Sequence, residues 1–511
     1  MAGRDRLNAS TPSVPNDNPA ALAVIVRSAI ALLLLLMNDG NAAGRVIQDL
    51  RDRASSASPG TRLPSVRELT ARHQASPVTV ATAIRALVRE GLVEARPGQG
   101  TYVARRDRIE PRPDLSWQTV ALGARRPGEA ELQALLATPP AGAIPLSGGY
   151  LDPDLQPAAA LGAALARAAR QPAAWQRGPA EGRADLRAWF ARGAGLRADD
   201  MVISPGGQAA ISSTLRALAG PGDTLLVESP TYLGALAAAR AAGLTVIPVP
   251  ADADGVLPGQ LRRAYARTGA RLFYCQPLYA NPSGATLSAS RRAEVFDAVR
   301  EAGSFLIEDD YARDLTVEGS APPPLAADDA DGHVIYLRSL TKSAAPGLRI
   351  AAIGARGQAG ARLRAARLLD DLFVAGPLQQ AALDVVTSPA WDRHRRALGK
   401  ELRARRDALL TALRRHFPLH VPEAVPYGGL HLWMRLAPGI DDVALAAEAA
   451  AEGVVVFPGR PWFAAEAPAP FLRLTYAAAP PELMDEAVTR LKRAADRLRS
   501  RPTSAGPGPA S

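Results

Sequence analysis

The apolar residues of this chain follow two different patterns. Between residues 41 and 91 they recur about every three or four positions, which predicts a group of short amphipathic helices. From residue 144 to residue 498, short β-branched runs alternate with helical stretches rich in Ala, Leu and Arg. This alternation predicts an α/β domain with a mostly parallel sheet. Strands are predicted at residues 224–228, 245–249, 271–274, 305–308 and 334–337.

The helices of the first region carry their own start and stop signals. Ser65 and Glu68 have the Ser-x-x-Glu spacing of a capping box, so a helix is predicted to begin at Ser65. Ser76 followed by Pro77 predicts a second helix, because Pro has no N–H to leave unpaired at the first helical position. Gly91 is a typical residue for the end of that helix. Its predicted apolar face consists of Val80, Ile84, Leu87 and Val88.

A β-hairpin is predicted after the second helix, with strands at residues 92–95 and 101–103. Two capped helices with a tight connection and a hairpin are typical of a small α+β winged helix-turn-helix. The second helix of that module lies in the major groove of DNA. The predicted DNA-contacting residues are Ser65, Arg67, Ser76, Thr79, Arg96 and Gly98.

Residues 41–104 resemble the DNA-binding domain of the GntR family. The motifs of the family are matched in order and spacing at residues 63–69, 76–80, 90–93 and 98–103. The chain differs at Pro77, where the family usually has an Arg, and at Ala81, where some members are basic. The resemblance implies double-stranded DNA as a partner. The alternative is a winged helix that contacts only proteins.

Polar residues that follow the predicted strands suit the chemistry of pyridoxal 5′-phosphate (PLP). Lys342 follows one strand and supplies the amine that a Schiff base with PLP needs. Asp309 follows another, and a carboxylate facing the pyridine nitrogen keeps that nitrogen protonated. Asn281 and Tyr311 can hydrogen-bond the ring hydroxyl, and Tyr232 can stack on the ring. Lys342, Asp309 and Tyr311 are therefore the predicted catalytic residues.

Two further groups of residues are predicted to bind anions in this domain. The first binds the PLP phosphate through backbone N–H groups at a helix start, two hydroxyls and a guanidinium. It consists of Gly207, Gln208, Ser339, Thr341 and Arg349. The second is Arg473, which is placed to bind the carboxylate of a substrate or effector in a bidentate manner.

The large domain resembles the fold-type I PLP-dependent aminotransferases, and it is most similar to the subgroup that is fused to a GntR domain, the MocR regulators. The family motifs are matched at residues 281–284, 308–311, 339–349, 428–433 and 473–474. The resemblance implies that Lys342 is the Schiff-base lysine and that the protein is a homodimer. The chain differs from the family at Ala209 and at Trp175, where Gln and Tyr are usual.

The remaining segments differ in composition from both domains. Residues 1–20 and 499–511 are predicted to be disordered, and residues 105–143 form a predicted linker rich in Arg and Pro. Residues 21–40 form a predicted apolar helix. Its apolar run is near the lower limit of about 17 residues for a membrane span and contains Arg27, so a helix packed on the domain is favoured over a membrane or export segment.

Composition narrows the function classes further. Cys275 is the only cysteine, which excludes an intrachain disulfide and favours the cytoplasm. Lys and Arg total 60 against 50 acidic residues, a net charge of +10 that is consistent with a nucleic-acid partner. The only lysines are Lys342, Lys400 and Lys492. No metal site is predicted, because Pro418 interrupts the helix that would bring His416 and His420 together.

These features predict a transcriptional regulator that binds an operator with two half-sites and senses PLP or an amino compound through its large domain. One alternative is an aminotransferase that transfers an amino group from an amino acid to a 2-oxo acid. Another is a binding module that has lost PLP.

Overall fold

The computed structural model describes residues 42–104, 114–122, 133, 136–422 and 424–500. The segments predicted at residues 1–20 and 21–40, and most of 499–511, lie outside the described residues, as does part of the predicted linker. The chain divides into two compact units between Ala124 and Arg125.

The small unit has the helices and the hairpin that the sequence predicts. The capping box is present: Ser65 Oγ accepts a hydrogen bond from the Glu68 N–H, and a Glu68 carboxylate oxygen accepts one from the Ser65 N–H at 2.7 Å. Ser76 caps the next helix, with Pro77 in its first turn. The elements are α1 (residues 42–56), α2 (Val66–His73), α3 (Pro77–Arg89), β1 (Val93–Arg96), β2 (Gly100–Val103) and α4 (Trp117–Leu122).

The core of the small unit lies between these helices and the antiparallel hairpin. Val46 and Leu50 of α1 pack against Leu69 of α2 and Leu87 of α3. The predicted apolar face of α3 is confirmed except at Val88, which is 39% exposed. Ala83 is buried instead of Val88. A straight helix turns position 88 away from the side that carries positions 80, 84 and 87.

An eight-stranded sheet forms the centre of the large unit, with the strand order β4-β11-β10-β9-β8-β5-β6-β7. Every strand predicted for the large unit lies in the parallel part of this sheet. β11 runs antiparallel to both of its neighbours, and β7 pairs antiparallel with β6. The strands of the large unit are β3 (Ile144–Pro145), β4 (Met201–Ser204), β5 (Thr224–Ser229), β6 (Thr245–Asp252), β7 (Gly255–Val256), β8 (Leu272–Cys275), β9 (Phe305–Asp309), β10 (Val334–Ser339), β11 (Ala351–Gly354), β12 (His431–Arg435), β13 (Val454–Val455), β14 (Phe457–Pro458) and β15 (Phe471–Thr475).

Helices cover both faces of this sheet, which explains the continuous apolar runs of its central strands. Phe273 belongs to one core cluster, and the next residue, Tyr274, belongs to the cluster on the opposite face. The helices of the large unit are α5 (Ala158–Ala169), α6 (Ala184–Ala191), α7 (Gly207–Leu218), α8 (Leu233–Ala241), α9 (Pro258–Thr268), α10 (Ala289–Glu301), α11 (Gly357–Asp371), α12 (Gly376–Val386), α13 (Pro389–His416), α14 (Asp442–Ala451) and α15 (Met484–Ser500).

The C-terminal part of the large unit has its own core. Its antiparallel sheet has the order β12-β15-β14, and β13 pairs with β3. Helices α13, α14 and α15 contribute the apolar side chains that pack with this sheet. None of the helices in the described part of the chain is both long and apolar enough to cross a membrane.

Candidate functional site

The carboxyl ends of the parallel strands bring the predicted PLP residues to one edge of the large sheet. Asp309 is the last residue of β9 and lies opposite Leu337 of β10 in the register. Lys342 follows β10 by a short turn, in which Ser339 Oγ donates a hydrogen bond to Thr341 Oγ1 at 2.9 Å. One cavity at this edge is lined by Gly207, Gln208, Tyr232, Asn281, Asp309, Tyr311, Ser339, Thr341, Lys342 and Arg349, together with Tyr150, Ile211 and Gln276.

The Lys342 amine is buried and has an unusual environment for a lysine. Its Nζ lies 3.7 Å from the centre of the Tyr150 ring, and it has no carboxylate partner among the described residues. Burial, together with the nearby charges of Arg473 and Arg349, lowers the pKa of Lys342 to about 7, while Asp309 opposes this shift. At neutral pH a large fraction of this amine is therefore the unprotonated nucleophile.

Asp309 is the buried carboxylate of the cavity. Its Oδ2 accepts hydrogen bonds from the Tyr274 hydroxyl at 2.6 Å and from Gln276 Nε2 at 2.8 Å. Burial raises the pKa of Asp309 to about 6, while these two hydrogen bonds lower it. The carboxylate is thus mostly ionised at neutral pH and has a defined orientation, as an acceptor for a protonated ring nitrogen requires.

The start of α7 forms the opposite, anion-binding end of the cavity. Gly206 is the N-cap of α7, has a φ of +96° and provides no side chain to cap the helix. A Cβ at Gly206 would lie 2.3 Å from an Arg349 guanidinium nitrogen, so only glycine allows this approach. Arg349 itself donates to the Pro205 carbonyl at 3.0 Å and has a φ of +50°. The first N–H groups of the helix and the guanidinium therefore face the same space.

The remaining ring-contacting candidates are held by hydrogen bonds at the cavity wall. Tyr311 donates to the Tyr279 carbonyl at 2.7 Å, and burial raises the pKa of its hydroxyl, which stays protonated. The Tyr232 hydroxyl donates to Gln208 Oε1 at 3.1 Å. Asn281 Oδ1 accepts from Arg473 Nη1 at 3.2 Å, so the amide connects the cavity to the predicted carboxylate-binding arginine.

Arg473 is the one predicted ligand-binding residue that does not line the cavity. It is fully buried on β15, where its Nη2 donates to the Ser147 carbonyl and its guanidinium lies 4.4 Å from the Trp462 ring centre. Burial lowers the pKa of Arg473 to about 9, so the group is still charged at neutral pH. Its Nε has no hydrogen-bond partner in the described structure. Arg473, which lies behind Asn281, therefore keeps an unused hydrogen-bond donor.

The sequence reasoning missed Tyr150, Tyr274 and Gln276. Gln276 directly follows β8, so the rule that selected Asp309 and Lys342 would also have found it. Tyr274 points from within a buried strand, and Tyr150 lies far from Lys342 in the sequence. Neither residue carries a local signal, because only the folded sheet brings them to the site.

These residues fit PLP by the chemistry of their donors. A lysine amine of lowered pKa, an ionised carboxylate and an anion-binding helix start with two hydroxyls and a guanidinium line one cavity. Lys342 would hold the cofactor covalently, Asp309 would hold the ring nitrogen, and the start of α7 with Arg349 would hold the phosphate. Bound there, PLP supplies an electron sink for chemistry on amino compounds.

The small unit presents a different set of side chains at α3. Thr79 is buried, with its hydroxyl 2.7 Å from Ser76 Oγ, so the expectation that it contacts DNA bases does not agree with its burial. The helix turns position 79 toward the core and positions 82 and 85 toward solvent. Thr82 and Arg85 are therefore surface residues that the sequence reasoning missed. Arg85 has no carboxylate partner among the described residues.

The other predicted DNA-contacting residues lie at the surface. Ser65 and Ser76 are exposed caps, and Arg67 is exposed on α2 without a carboxylate partner in the described structure. On the hairpin, the Arg96 guanidinium lies 4.5 Å from the Tyr102 ring centre and pairs with Glu94. Gly98 forms the hairpin turn with a φ of +73°.

The two histidines rejected as a metal site lie outside both regions. α13 ends at His416, and Pro418 begins a short 3₁₀ turn, as the sequence predicts. No group of metal-binding side chains occurs within the described ranges. Cys275 is buried, and burial raises the pKa of its thiol well above the usual range, which disfavours the nucleophilic thiolate.

Together, the fold and the cavity define a fusion of a winged helix with a fold-type I aminotransferase domain. The chain belongs to the aminotransferase class I and II family, whose model matches residues 145–491, and residues 42–103 match the family of bacterial regulatory proteins named gntR. Both family resemblances and the predicted fold class are thereby confirmed. So is PLP as the cofactor of this family.

Relatives and solved structures agree with both parts. The chain is 27% identical over 442 residues to the HTH-type transcriptional regulator YdfD of Bacillus subtilis, covering 84% of this chain and 91% of YdfD. It is 32% identical over 387 residues to the 2-aminoadipate transaminase of Thermus thermophilus, covering 74% of this chain and 97% of that protein. The crystal structure of Thermus thermophilus LysN, an alpha-aminoadipate aminotransferase complexed with N-(5′-phosphopyridoxyl)-L-leucine, matches with a TM-score of 0.71 and 32% identity, covering 76% of this chain and all of LysN.

Proposed function

We propose that this protein is a PLP-dependent transcriptional regulator of the GntR/MocR type. The observation that carries the proposal is the presence, in one chain, of a winged helix with exposed cations and a cavity with a complete PLP donor set. The similarity to YdfD spans both units, which supports regulation over catalysis as the main role. An amino compound that reacts in the large unit is the signal, and a change in operator binding is the output.

In this proposal each residue of the cavity has a separate task. Lys342 would hold PLP covalently, and Asp309 would accept a hydrogen bond from the protonated ring nitrogen. Asn281 and Tyr311 bind the ring hydroxyl, and Tyr232 stacks on the ring. The PLP phosphate is bound by the N–H groups of Gly207 and Gln208, the hydroxyls of Ser339 and Thr341, and the guanidinium of Arg349.

Arg473 binds the carboxylate of the effector. Its buried guanidinium donates to Asn281, and its Nε has no partner in the described structure, so a carboxylate would add a bond that the free protein lacks. A charged hydrogen bond in a buried place is worth about 1.5–3 kcal/mol. An effector with a carboxylate is thus favoured over a simple amine.

DNA contacts come from α2, α3 and the hairpin. Thr82 and Arg85 on the exposed face of α3 face the major groove in place of Thr79, whose contact with Ser76 instead fixes the start of the helix. Arg67 and Arg96 contact phosphates. The caps Ser65 and Ser76 and the turn at Gly98 shape the backbone that approaches the DNA.

The protein acts as a homodimer in the cytoplasm and binds an operator with two half-sites. Large apolar side chains that are exposed in the described structure support the dimer, since Leu369 is 88% exposed and Trp175 is 68% exposed. Ala174, next to Trp175, lies against Gly376, which follows Leu372 by four positions, and Leu372 is 62% exposed. Surfaces that gather several exposed apolar side chains are typical of protein interfaces.

A gel-shift titration with DNA from upstream of the chain's own gene tests the regulator directly. We expect a shift that weakens as salt rises and that changes when PLP and an amino compound are added. A full-length protein that binds this DNA no better than an unrelated duplex, under all these conditions, would contradict the proposal.

The second candidate function is an aminotransferase. It is favoured by the complete donor set and by the similarity to the Thermus thermophilus transaminase over 74% of the chain. Sustained turnover of an amino acid with 2-oxoglutarate would support it. A single conversion of bound PLP without turnover supports the regulator.

A further inference from the structure

A second cavity of the large unit has five cations among its lining residues. It has a volume of about 690 Å³ and lies between α13 and the loop that follows β9. α13 contributes Arg395, Arg396, Lys400 and Arg403, and the loop contributes Arg313. Asp314 is the only carboxylate of the lining. We name this feature the basic groove.

The geometry of α13 explains why these cations face one space. Positions 396, 400 and 403 share one face of a helix, because they are four and three residues apart. At Gly399 a Cβ would lie 2.9 Å from the Thr316 carbonyl oxygen, so the missing side chain lets the helix approach the loop. The cations of the groove therefore come from both the helix and the loop.

Internal ion pairs neutralise only part of this charge. Arg395 pairs with Asp314 at 3.2 Å, and Asp314 is also bound by Arg338. Arg313 pairs with Asp310, Arg403 lies 3.5 Å from Glu318 and 3.8 Å from Asp407, and Arg395 also lies 3.7 Å from Asp392. Arg338 and Arg406 share Asp314, Glu318 and Asp407 with the groove cations, so these carboxylates do not balance the whole positive charge.

Arg396 and Lys400 are the two cations of the basic groove that take no part in these ion pairs. Both are exposed, and neither has a hydrogen bond or a carboxylate partner among the described residues. Lys400 is one of the few lysines of a chain whose cations are otherwise arginines. By contrast, Lys492 pairs with Asp496 at 2.5 Å.

We propose that the basic groove binds a small molecule with two or more adjacent phosphate groups. Positions 396 and 403 are about 10 Å apart along the helix, which is longer than one phosphate and suits a chain of phosphates. Arg313 is recessed, with 15% of its side chain exposed, so a small anion reaches it more readily than the convex surface of a DNA duplex. Charged hydrogen bonds from Arg and Lys are the ordinary means of phosphate recognition.

Isothermal titration calorimetry on the full chain saturated with PLP tests this proposal, because bound PLP fills the other phosphate-binding region. Inorganic triphosphate is the probe. We expect one saturable site per chain that weakens as salt rises, and affinity for orthophosphate that is lower by about tenfold or more. Adenosine triphosphate is compared with inorganic triphosphate: equal affinity identifies the phosphate chain as the ligand, and tighter binding identifies a nucleotide.

The double variant Arg396→Gln/Lys400→Gln locates the site. We expect it to lose triphosphate affinity by about tenfold or more while its PLP absorbance and circular dichroism stay unchanged. The matched control Lys492→Gln removes a paired lysine and is expected to bind as the wild type does.

Three results would overturn the proposal. They are the absence of saturable binding, equal affinity for orthophosphate and triphosphate, and an unchanged affinity in the double variant. A double variant that loses affinity for a DNA duplex of arbitrary sequence, in a protein that does not bind triphosphate, would show a DNA contact instead.

Discussion

The exposed face of α3 and the cavity at the strand ends use charged residues under opposite conditions. Arg85 on α3 lies in solvent without a carboxylate partner in the described structure. Lys342 and Asp309 are buried, and burial moves the pKa of Lys342 down to about 7 and that of Asp309 up to about 6. An exposed cation attracts phosphates through a long-range interaction that salt weakens. A buried amine or carboxylate has a shifted pKa, because the fold removes it from water.

Because of this difference, substitutions in the two regions should change different measurable properties. Changes at α3 should alter DNA affinity and its salt dependence without touching PLP. Changes in the cavity should alter PLP binding without touching the DNA affinity of the PLP-free protein.

Replacement of the cofactor lysine gives the largest expected effect. Lys342→Ala removes the only amine of the cavity, so we expect complete loss of the PLP absorbance band in the visible region. The DNA affinity of this variant should stay within about twofold of the PLP-free wild type, since Lys342 belongs to the large unit and DNA contacts come from the winged helix. Lys492→Ala serves as the control and should retain the band; a band that survives in Lys342→Ala would disprove the assignment.

The pH dependence of PLP incorporation comes next. The reactive form of Lys342 is the neutral amine, and its fraction rises with pH through the pKa. With a pKa of about 7, the rate of PLP incorporation into the PLP-free protein should rise roughly tenfold between about pH 6 and about pH 8 and then level off. Stopped-flow absorbance measures this rate. A rate that keeps rising toward pH 10 would mean that burial does not lower the pKa of the amine.

Removal of a single exposed cation should have a smaller effect, which includes a loss of electrostatic attraction to the DNA. Arg85→Ala is expected to weaken operator binding by about five- to tenfold and to reduce the salt slope by about one. Its PLP affinity should equal that of the wild type. Thr79→Val is the matched comparison on the same helix, because its side chain is buried: it should leave the sequence preference unchanged, and a changed preference would restore Thr79 as a base contact.

The smallest effect is expected from Tyr274, the tyrosine that donates a hydrogen bond to Asp309. Tyr274→Phe removes the hydroxyl that donates to Asp309 at 2.6 Å, so the pKa of that carboxyl should rise further. A hydrogen bond to a charged group corresponds to about 1.5 kcal/mol, or about tenfold in affinity. Because Gln276 still donates to the same oxygen, we expect PLP affinity to fall only several-fold. Fluorescence titration with PLP measures it. The same affinity in both proteins would mean that Gln276 alone orients Asp309.

The sequence predicted most of what depends on local signals. The capping box at Ser65 and the N-cap at Ser76 were found because each needs only neighbouring residues. The parallel strands were found because strands buried on both faces are continuous apolar runs. β11 was not predicted, because its reversed direction depends on pairing with β10 and β4 and not on its own residues.

The residues of the site were likewise predictable where a local signal marks them. Lys342 and Asp309 follow strands, so the strand pattern located them. Tyr150 is far from Lys342 in the sequence, and only the folded chain brings the two side chains together. The inward direction of Thr79 depends on how α3 packs on the core of the small unit. Contacts between residues distant in the sequence are therefore what the sequence alone left undetermined.

The central claim is that chemistry in the large unit changes DNA binding by the small unit. The most direct measurement records the absorbance of bound PLP and the affinity for the upstream DNA on one sample, during titration with amino acids. We expect an amino acid that alters the PLP band to alter DNA affinity at the same concentration, and Lys342→Ala to show neither change. A band that changes fully while DNA affinity stays constant would contradict the account.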